Sequence, residues 1–108
     1  MKSFMYLAAC LVTLPAMAAT VVVDGSGLPS VKVTYSDLNL ASDKGANTLY
    51  RRIVSAAHQV CGADEVDIRD LATLAQTQSC ERQAIAHAVD AVHSPRLASA
   101  YSAHLRHG

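Results

Sequence analysis

The alternation of apolar and polar residues predicts two β-strands near the start of the chain. Three consecutive valines end at Val23, and residues 31–36 place an apolar or aromatic side chain at every second position. Runs of β-branched residues and alternation of this kind favour strands. Residues 25–30 contain two glycines and one proline, which indicates a turn. We therefore expect an antiparallel ribbon over about residues 20–24 and 31–36, with a bulge or the end of the second strand near residue 36.

The apolar pattern changes to helical spacing after residue 42 and predicts a first helix. Ser42 is a favourable N-cap, Asp43 suits the first turn, and Gly62 is typical of a helix end. The residues expected on its buried side are Ala46, Leu49, Tyr50, Ile53, Ala57, Val60 and Cys61. Arg51 and Arg52 are adjacent and therefore lie about 100° apart around the helix, so we expect solvated side chains rather than a shared anion site.

A second, longer helix is predicted to run from near Asp70 or Leu71 to His93. Its expected apolar side has Leu71, Leu74, Ile85, Val89 and Val92, beside a strip of small residues, Cys80, Ala84, Ala88 and Ala91. The segment 63–70 is rich in acidic residues, but these lack the spacing of a calcium-binding EF-hand. We therefore expect a solvated loop whose end caps the second helix. A Ser-Pro pair at residues 94–95 then indicates a short third helix. Its expected apolar side has Leu97, Tyr101 and Leu105.

Together these elements predict an α+β fold in which the ribbon packs on an antiparallel pair formed by the first two helices. An isolated two-stranded ribbon is unstable in water, so its apolar face must rest on the helices. The small residues of the second helix would let the first helix approach closely. We expect one small domain over residues 19–108, because a chain of about 90 residues forms a single core.

Residues 1–18 have the features of a cleaved export signal. A basic start at Lys2 leads into an uncharged apolar run, Pro15 ends the run, and an Ala-Met-Ala sequence ending at Ala18 suits signal peptidase. We expect cleavage after Ala18, a mature protein in the periplasm or outside the cell, and no membrane contact after cleavage. A membrane anchor is one alternative, but the run is shorter than the roughly 20 residues that span a bilayer. A lipoprotein signal ending at Cys10 is another, although it leaves almost no apolar stretch before the cleavage point.

The charge balance argues against a nucleic acid partner. The whole chain has nine basic and nine acidic residues. Without residues 1–18 it loses Lys2 and keeps eight basic against nine acidic residues, which leaves a net charge near −1. Proteins that bind the phosphate backbone carry a basic excess. No nucleic acid is therefore expected among its partners.

Two cysteines, Cys61 and Cys80, remain after removal of the signal, and we expect them to form a disulfide. An exported compartment is oxidising, and a domain of this size gains stability from a covalent crosslink. The closed loop of about 20 residues restricts the unfolded chain by roughly 3 kcal/mol. A redox pair or a metal site is the alternative interpretation. Thiol oxidoreductases, however, separate their cysteines by only two residues, and zinc sites usually have four clustered ligands.

No motif in the chain indicates catalysis, and no cofactor is expected. Ser26 lies between two glycines, but no helix is predicted to follow it, as a hydrolase nucleophile or a phosphate loop would require. The five histidines are the more noticeable feature. His104 and His107 are three residues apart, a spacing that suits a metal ion on one helix face, but a tight site needs further ligands. They are weak metal candidates, and solvent-facing histidines are the favoured interpretation.

Four stretches of the chain form a set with specific spacing. They are residues 31–40, 49–53 and 60–62, and a group made of Cys80, Ala88, Val89 and residues 94–97. Together they resemble the UrcA family, a group of short exported bacterial proteins without an assigned function. The resemblance implies export and the pairing of Cys61 with Cys80. It implies no substrate, cofactor or catalytic residue.

Two functions of different classes are compatible with these features. The first is an exported interaction or structural module with an unknown protein partner, which would also be able to self-associate through an exposed strand edge. The alternative is a periplasmic protein that binds a metal or a small ligand. An enzyme is not expected, because no catalytic motif was found.

Overall fold

In the part of the chain that the structure describes, two strands are followed by three helices. The computed structural model describes residues 19–25, 30–62, 67 and 69–107, and the predicted export signal over residues 1–18 lies outside the described residues. The elements are β1 (Thr20–Asp24), β2 (Ser30–Thr34), α1 (Asp43–Cys61), α2 (Leu71–Val92) and α3 (Pro95–His107). The predicted α+β fold with a two-stranded antiparallel ribbon and three helices is therefore confirmed.

The ribbon places its valines on one face. Val21 lies opposite Val33, and Val23 lies opposite Val31. Val21, Val23 and Val33 are buried, whereas the alternate residues of both strands are exposed. The predicted alternation of apolar and polar positions is therefore present, and the valine face rests on the helices.

The second strand ends earlier than predicted. β2 ends at Thr34 rather than near residue 36. The Leu38 N–H donates to the Tyr35 carbonyl at 3.1 Å, which closes a turn directly after the strand. The change in alternation near residue 36 therefore marks the end of the strand and not a bulge.

Local hydrogen bonds fix both ends of α1 and the start of α2. The Ser42 hydroxyl accepts from the Gly45 N–H at 3.0 Å, and the Asp70 carboxylate accepts from the Thr73 N–H at 3.1 Å. After α1, Gly62 has the left-handed φ of 68° that glycine favours, and its N–H donates back to carbonyls of the helix. These caps satisfy main-chain groups that the helix ends leave free.

α1 and α2 run antiparallel, and α3 returns alongside α1. The Sγ atoms of Cys61 and Cys80 lie 2.02 Å apart and join the last residue of α1 to the middle of α2. At the opposite end of α1, Arg96 in the first turn of α3 donates to the Asp43 carboxylate at 2.7 Å. Since α3 begins directly after α2, the end of α2 lies near the start of α1.

The core lies between the ribbon and the three helices. Its largest fully buried side chains are Leu49, Ile53, Leu97 and Val23. Ala84 and Ala88 of α2 are also buried, as expected of small residues at a close helix contact. Ala91, which was predicted in the same strip, is exposed because it lies about 60° around the helix from Ala88.

Two leucines predicted on apolar helix sides are exposed. Leu71 is 74% exposed and Leu105 is 58% exposed. Leu71 begins α2, but α1 ends opposite Cys80, so the first turns of α2 extend past the end of α1. Leu105 lies eight residues after the buried Leu97 and is therefore rotated about 80° around α3 from the core.

Candidate binding site at the edge of the ribbon

β2 presents main-chain hydrogen-bonding groups along its outer edge. The Tyr35 N–H donates to the Ala19 carbonyl at 2.7 Å, so these two residues form a hydrogen-bonded pair across the ribbon. In an antiparallel ribbon such pairs recur at every second residue, so in β2 the odd-numbered residues bond to β1. The N–H and C=O groups of Ser30, Lys32 and Thr34 therefore point away from β1. Within the described part of the chain, those of Ser30 and Lys32 make no hydrogen bond on this edge.

A groove of about 270 Å³ lies between this edge and α1. Its strand side consists of residues 31–34, and its helix side consists of Arg52, Ser55, Ala56 and Gln59. The helix residues are spaced three and four apart and therefore share one face of α1. Ser55 and Gln59 are exposed, and Ala56 is buried. The groove thus combines a strand edge with a helix face, an arrangement that can accept an added extended strand.

Arg52 closes the groove at the Thr34 end. Its Nη1 donates to the Thr34 carbonyl at 2.9 Å and to one carboxylate oxygen of Asp37 at 2.8 Å. Its Nη2 donates to the other oxygen of Asp37, also at 2.8 Å. The predicted solvation of Arg52 is therefore incomplete, since both sides of its guanidinium bind protein oxygens. This bidentate pair lowers the pKa of the Asp37 carboxyl to about 2, chiefly through the hydrogen bonds from Arg52.

Lys32 supplies the positive charge at the centre of the free edge. Its side chain is exposed on the outer face of the ribbon, opposite Val22, which is 45% exposed. Arg52 is the other cation beside the groove, but its charge is balanced by Asp37. Among the residues that line the groove, Lys32 therefore carries the charge that no ion pair balances.

The structure brings Cys61 and Cys80 together as predicted. Their Cα atoms are 5.8 Å apart, and the sulfur atoms are at the distance of a disulfide bond. Next to them, His58 Nδ1 lies 2.8 Å from Glu81 Oε1, so this histidine has a carboxylate partner that the sequence did not indicate. A cysteine sulfur in this bond is not free to bind a metal ion.

Of the two weak metal candidates, the structure describes the side chain of His104 but not that of His107. The His104 ring stacks on the Tyr50 ring, with centroids 4.3 Å apart and planes inclined by 10°. The His107 side chain lies outside the described residues. Among the residues that the structure does describe, no group of three or more histidines, cysteines, aspartates and glutamates is placed to hold a metal ion.

A second groove, of about 470 Å³, lies where α2 turns into α3. It is lined by Ala86, Val89, Asp90, His93, Ser94, Pro95, Ala98 and Tyr101. His93 follows the last residue of α2 and has a left-handed φ of 55°, a conformation that is uncommon for residues other than glycine. The sequence did not indicate this groove as a site. Its lining residues come from two helices, and the groove forms where the chain turns from α2 into α3.

The sequence did not indicate the pair of Asp37 and Arg52, because its members are 15 positions apart and no spacing rule connects them. Over the described residues, no helix combines the length and apolar character needed to cross a membrane. No protein-family model, curated protein or solved structure matches the chain.

Proposed function

We propose that this protein is an exported interaction module that binds an extended segment of a partner protein along the free edge of β2. The observation that carries the proposal is the pair of outward-facing main-chain groups at Ser30 and Lys32, beside a groove lined by α1. Addition of a strand would satisfy these groups and would place alternate side chains of the partner over Ser55 and Gln59.

The charge at Lys32 favours a different protein over a second copy of this chain as the occupant. If two copies of β2 paired antiparallel about Lys32, two ammonium groups would lie directly opposite each other, which is destabilising. A partner strand with Asp or Glu at that position would instead form an attractive cross-strand pair. The proposal therefore commits to an extended acidic segment of another protein, and the self-association expected from the sequence becomes an outcome of the test.

The test uses a cyclised β-hairpin peptide whose exposed strand reads Thr-Val-Glu-Val-Thr. Cyclisation lowers the entropic cost of ordering the strand. We expect saturable binding that protects the Ser30 and Lys32 amides from hydrogen exchange. The same hairpin with Lys in place of Glu should bind about threefold to tenfold more weakly. No protection of either amide, or equal binding of both peptides, would contradict the proposal, as would a dimer of the free protein that protects the same amides.

Two variants at one position separate the main chain from the side chain. Lys32→Pro removes the outward N–H without removing a bond between β1 and β2, as edge strands tolerate. Lys32→Ala removes the charge and keeps the N–H. We expect Lys32→Pro to lose binding and Lys32→Ala to keep binding without preference between the two peptides. Equal binding by both variants would show that the strand edge is not used.

Export is part of the proposal and is supported by the pattern of residues 1–18. The resemblance to the UrcA family supports the same location, and membership of that family stays a prediction. Mass spectrometry of the exported protein should find Ala19 as the first residue. Retention of Met1, or an acyl group on Cys10, would contradict cleavage after Ala18.

A second candidate function, binding of a small apolar ligand, is favoured by the groove between α2 and α3. Its walls are mostly apolar, and Asp90, His93 and Ser94 add polar groups. The uncharged dye Nile red should bind there and be excluded when Ala98→Trp fills the groove. Dye binding that is unchanged in this variant would rule out the groove as the site.

A further inference from the structure

We propose that a surface pocket between α1 and α3 binds a phosphate group. The pocket has a volume of about 430 Å³ and is lined by Lys44, Asn47, Arg51 and His104. It lies on a different face of α1 from the groove at β2, which is lined by Arg52, so this inference is independent of the proposed strand-binding function.

The helix geometry gathers these side chains on one surface. Lys44, Asn47 and Arg51 are spaced three and four residues apart and therefore follow one another along one face of α1. His104 reaches the same pocket from α3. Its ring is held by stacking on Tyr50, whose ring lies 4.3 Å away between centroids. One donor of the pocket is thus positioned before any ligand arrives.

Within the described part of the chain, the two basic side chains of the pocket have no carboxylate partner. Among the described residues, Lys44 and Arg51 form no ion pair. Two acidic residues that lie at or before the start of α1 pair with other arginines. Asp37 binds Arg52, and Asp43 binds Arg96 at 2.7 Å in a neighbouring groove. The residues that line the pocket include one lysine and one arginine and no carboxylate.

The set of donors fits a phosphate better than a carboxylate. The Arg51 guanidinium can donate two parallel hydrogen bonds, Lys44 adds a point charge, and Asn47 and His104 supply further N–H groups. The hydrogen-bond donors lie on two helices, α1 and α3, and the two oxygens of a carboxylate are too few to accept from all of them. A phosphate monoester offers three and carries a larger charge. The phosphate would come either from a small soluble molecule or from the headgroup of a lipid.

The test titrates the purified protein with inorganic phosphate and, at matched ionic strength, with acetate. Binding is followed through the NMR signals of the His104 ring and of the Asn47 side-chain amide. We expect saturable shifts with phosphate and none with acetate. Arg51→Ala should raise the phosphate Kd about tenfold, as should Asn47→Asp, which adds a negative charge to the pocket. Arg82→Ala removes an exposed cation on α2, outside the pocket, and should change the Kd less than about twofold.

Each result decides the proposal. Equal shifts with phosphate and acetate, or equal effects of Arg51→Ala and Arg82→Ala, would overturn it, because they would show general screening of charge. Circular dichroism confirms that the variants fold.

A second experiment measures binding of the protein to vesicles of phosphatidylcholine that contain phosphatidic acid and to vesicles of phosphatidylcholine alone. Arg51-dependent binding to the first vesicles would assign the phosphate to a lipid, and its absence, with phosphate binding intact, would assign it to a soluble molecule.

Discussion

Arg52 shows how one side chain can join two elements that are distant in sequence. It holds the turn after β2 through Asp37 and the end of the strand through the Thr34 carbonyl. We expect a measured pKa of about 2 for the Asp37 carboxyl, below its ordinary value of 3.8. Arg52→Gln should return the pKa toward the ordinary value. Carbon-detected NMR titration of the carboxyl group measures both, and an unchanged pKa in the variant would contradict the assignment.

The same pair makes a defined contribution to the pH dependence of stability. The Asp37 pKa is lower in the folded state, so the stabilisation is fully present above pH 3.8 and is lost as the pH falls through about 2. Asp37→Asn should therefore flatten the stability profile in this range and leave the slope above pH 5 unchanged. Urea unfolding at a series of pH values provides the measurement.

Gly45 is a helix residue at which alanine should be worse than glycine. A Cβ atom at this position would collide with the Asn39 carbonyl oxygen, which already accepts two hydrogen bonds from Ser42. Alanine normally gains about 1 kcal/mol over glycine in a helix. Displacing the main chain costs more, so we expect Gly45→Ala to lower the free energy of unfolding by about 1–2 kcal/mol. Ser55→Ala on the same helix should stay within about 0.5 kcal/mol. A more stable Gly45→Ala variant would refute the collision.

At the scale of elements, α3 belongs to the core through one face only. Leu97 is fully buried, and Leu105 on the same helix is 58% exposed. Leu97→Ala should lower the free energy of unfolding by about 2–5 kcal/mol, whereas Leu105→Ala should change it by about 0.5 kcal/mol or less. Urea unfolding followed by circular dichroism compares the two. Similar losses for both would mean that α3 packs differently on α1 in solution.

The sequence predicted the helices better than their contacts. Ser42, Asp70 and Gly62 act locally, so their capping roles were readable from neighbouring residues. The predicted end of β2 is two residues late, because the alternation of side chains continues to Tyr35, whose carbonyl already accepts the main-chain bond that closes the turn. The contact of His104 with Tyr50 depends on how α3 lies against α1, and this packing is not encoded in either helix alone.

At the scale of the whole molecule, a small core is supported by one crosslink. The cysteines are 19 positions apart, and closing such a loop stabilises the folded state by roughly 3 kcal/mol. Cys61→Ser combined with Cys80→Ser should therefore lower the free energy of unfolding by about 2–5 kcal/mol, a large part of the 5–15 kcal/mol typical of a domain. Thermal unfolding measures the loss. Unchanged melting, or two reactive thiols in the unreduced native protein, would contradict the crosslink.

For the proposed strand-binding site, the sequence predicted an exposed strand edge but not the groove beside it. An exposed strand edge was expected, but the groove depends on which face of α1 lies beside β2. Adjacent arginines on a helix are not expected to form one site, and the structure places Arg52 in the groove beside β2 and Arg51 in the pocket beside α3. Helical geometry predicted this divergence, whereas the partners on each side required the tertiary structure.

The crosslink also determines what happens when the chain is cut. Cleavage of any peptide bond between residues 61 and 80 leaves two fragments that stay covalently attached through Cys61 and Cys80. A protease that nicks this stretch therefore adds one water molecule to the mass and releases nothing. On a denaturing gel, nicked protein should run as one band without reductant and as two bands with it. Both the ribbon with α1 and the pair α2 with α3 thus remain in one molecule after such a cut.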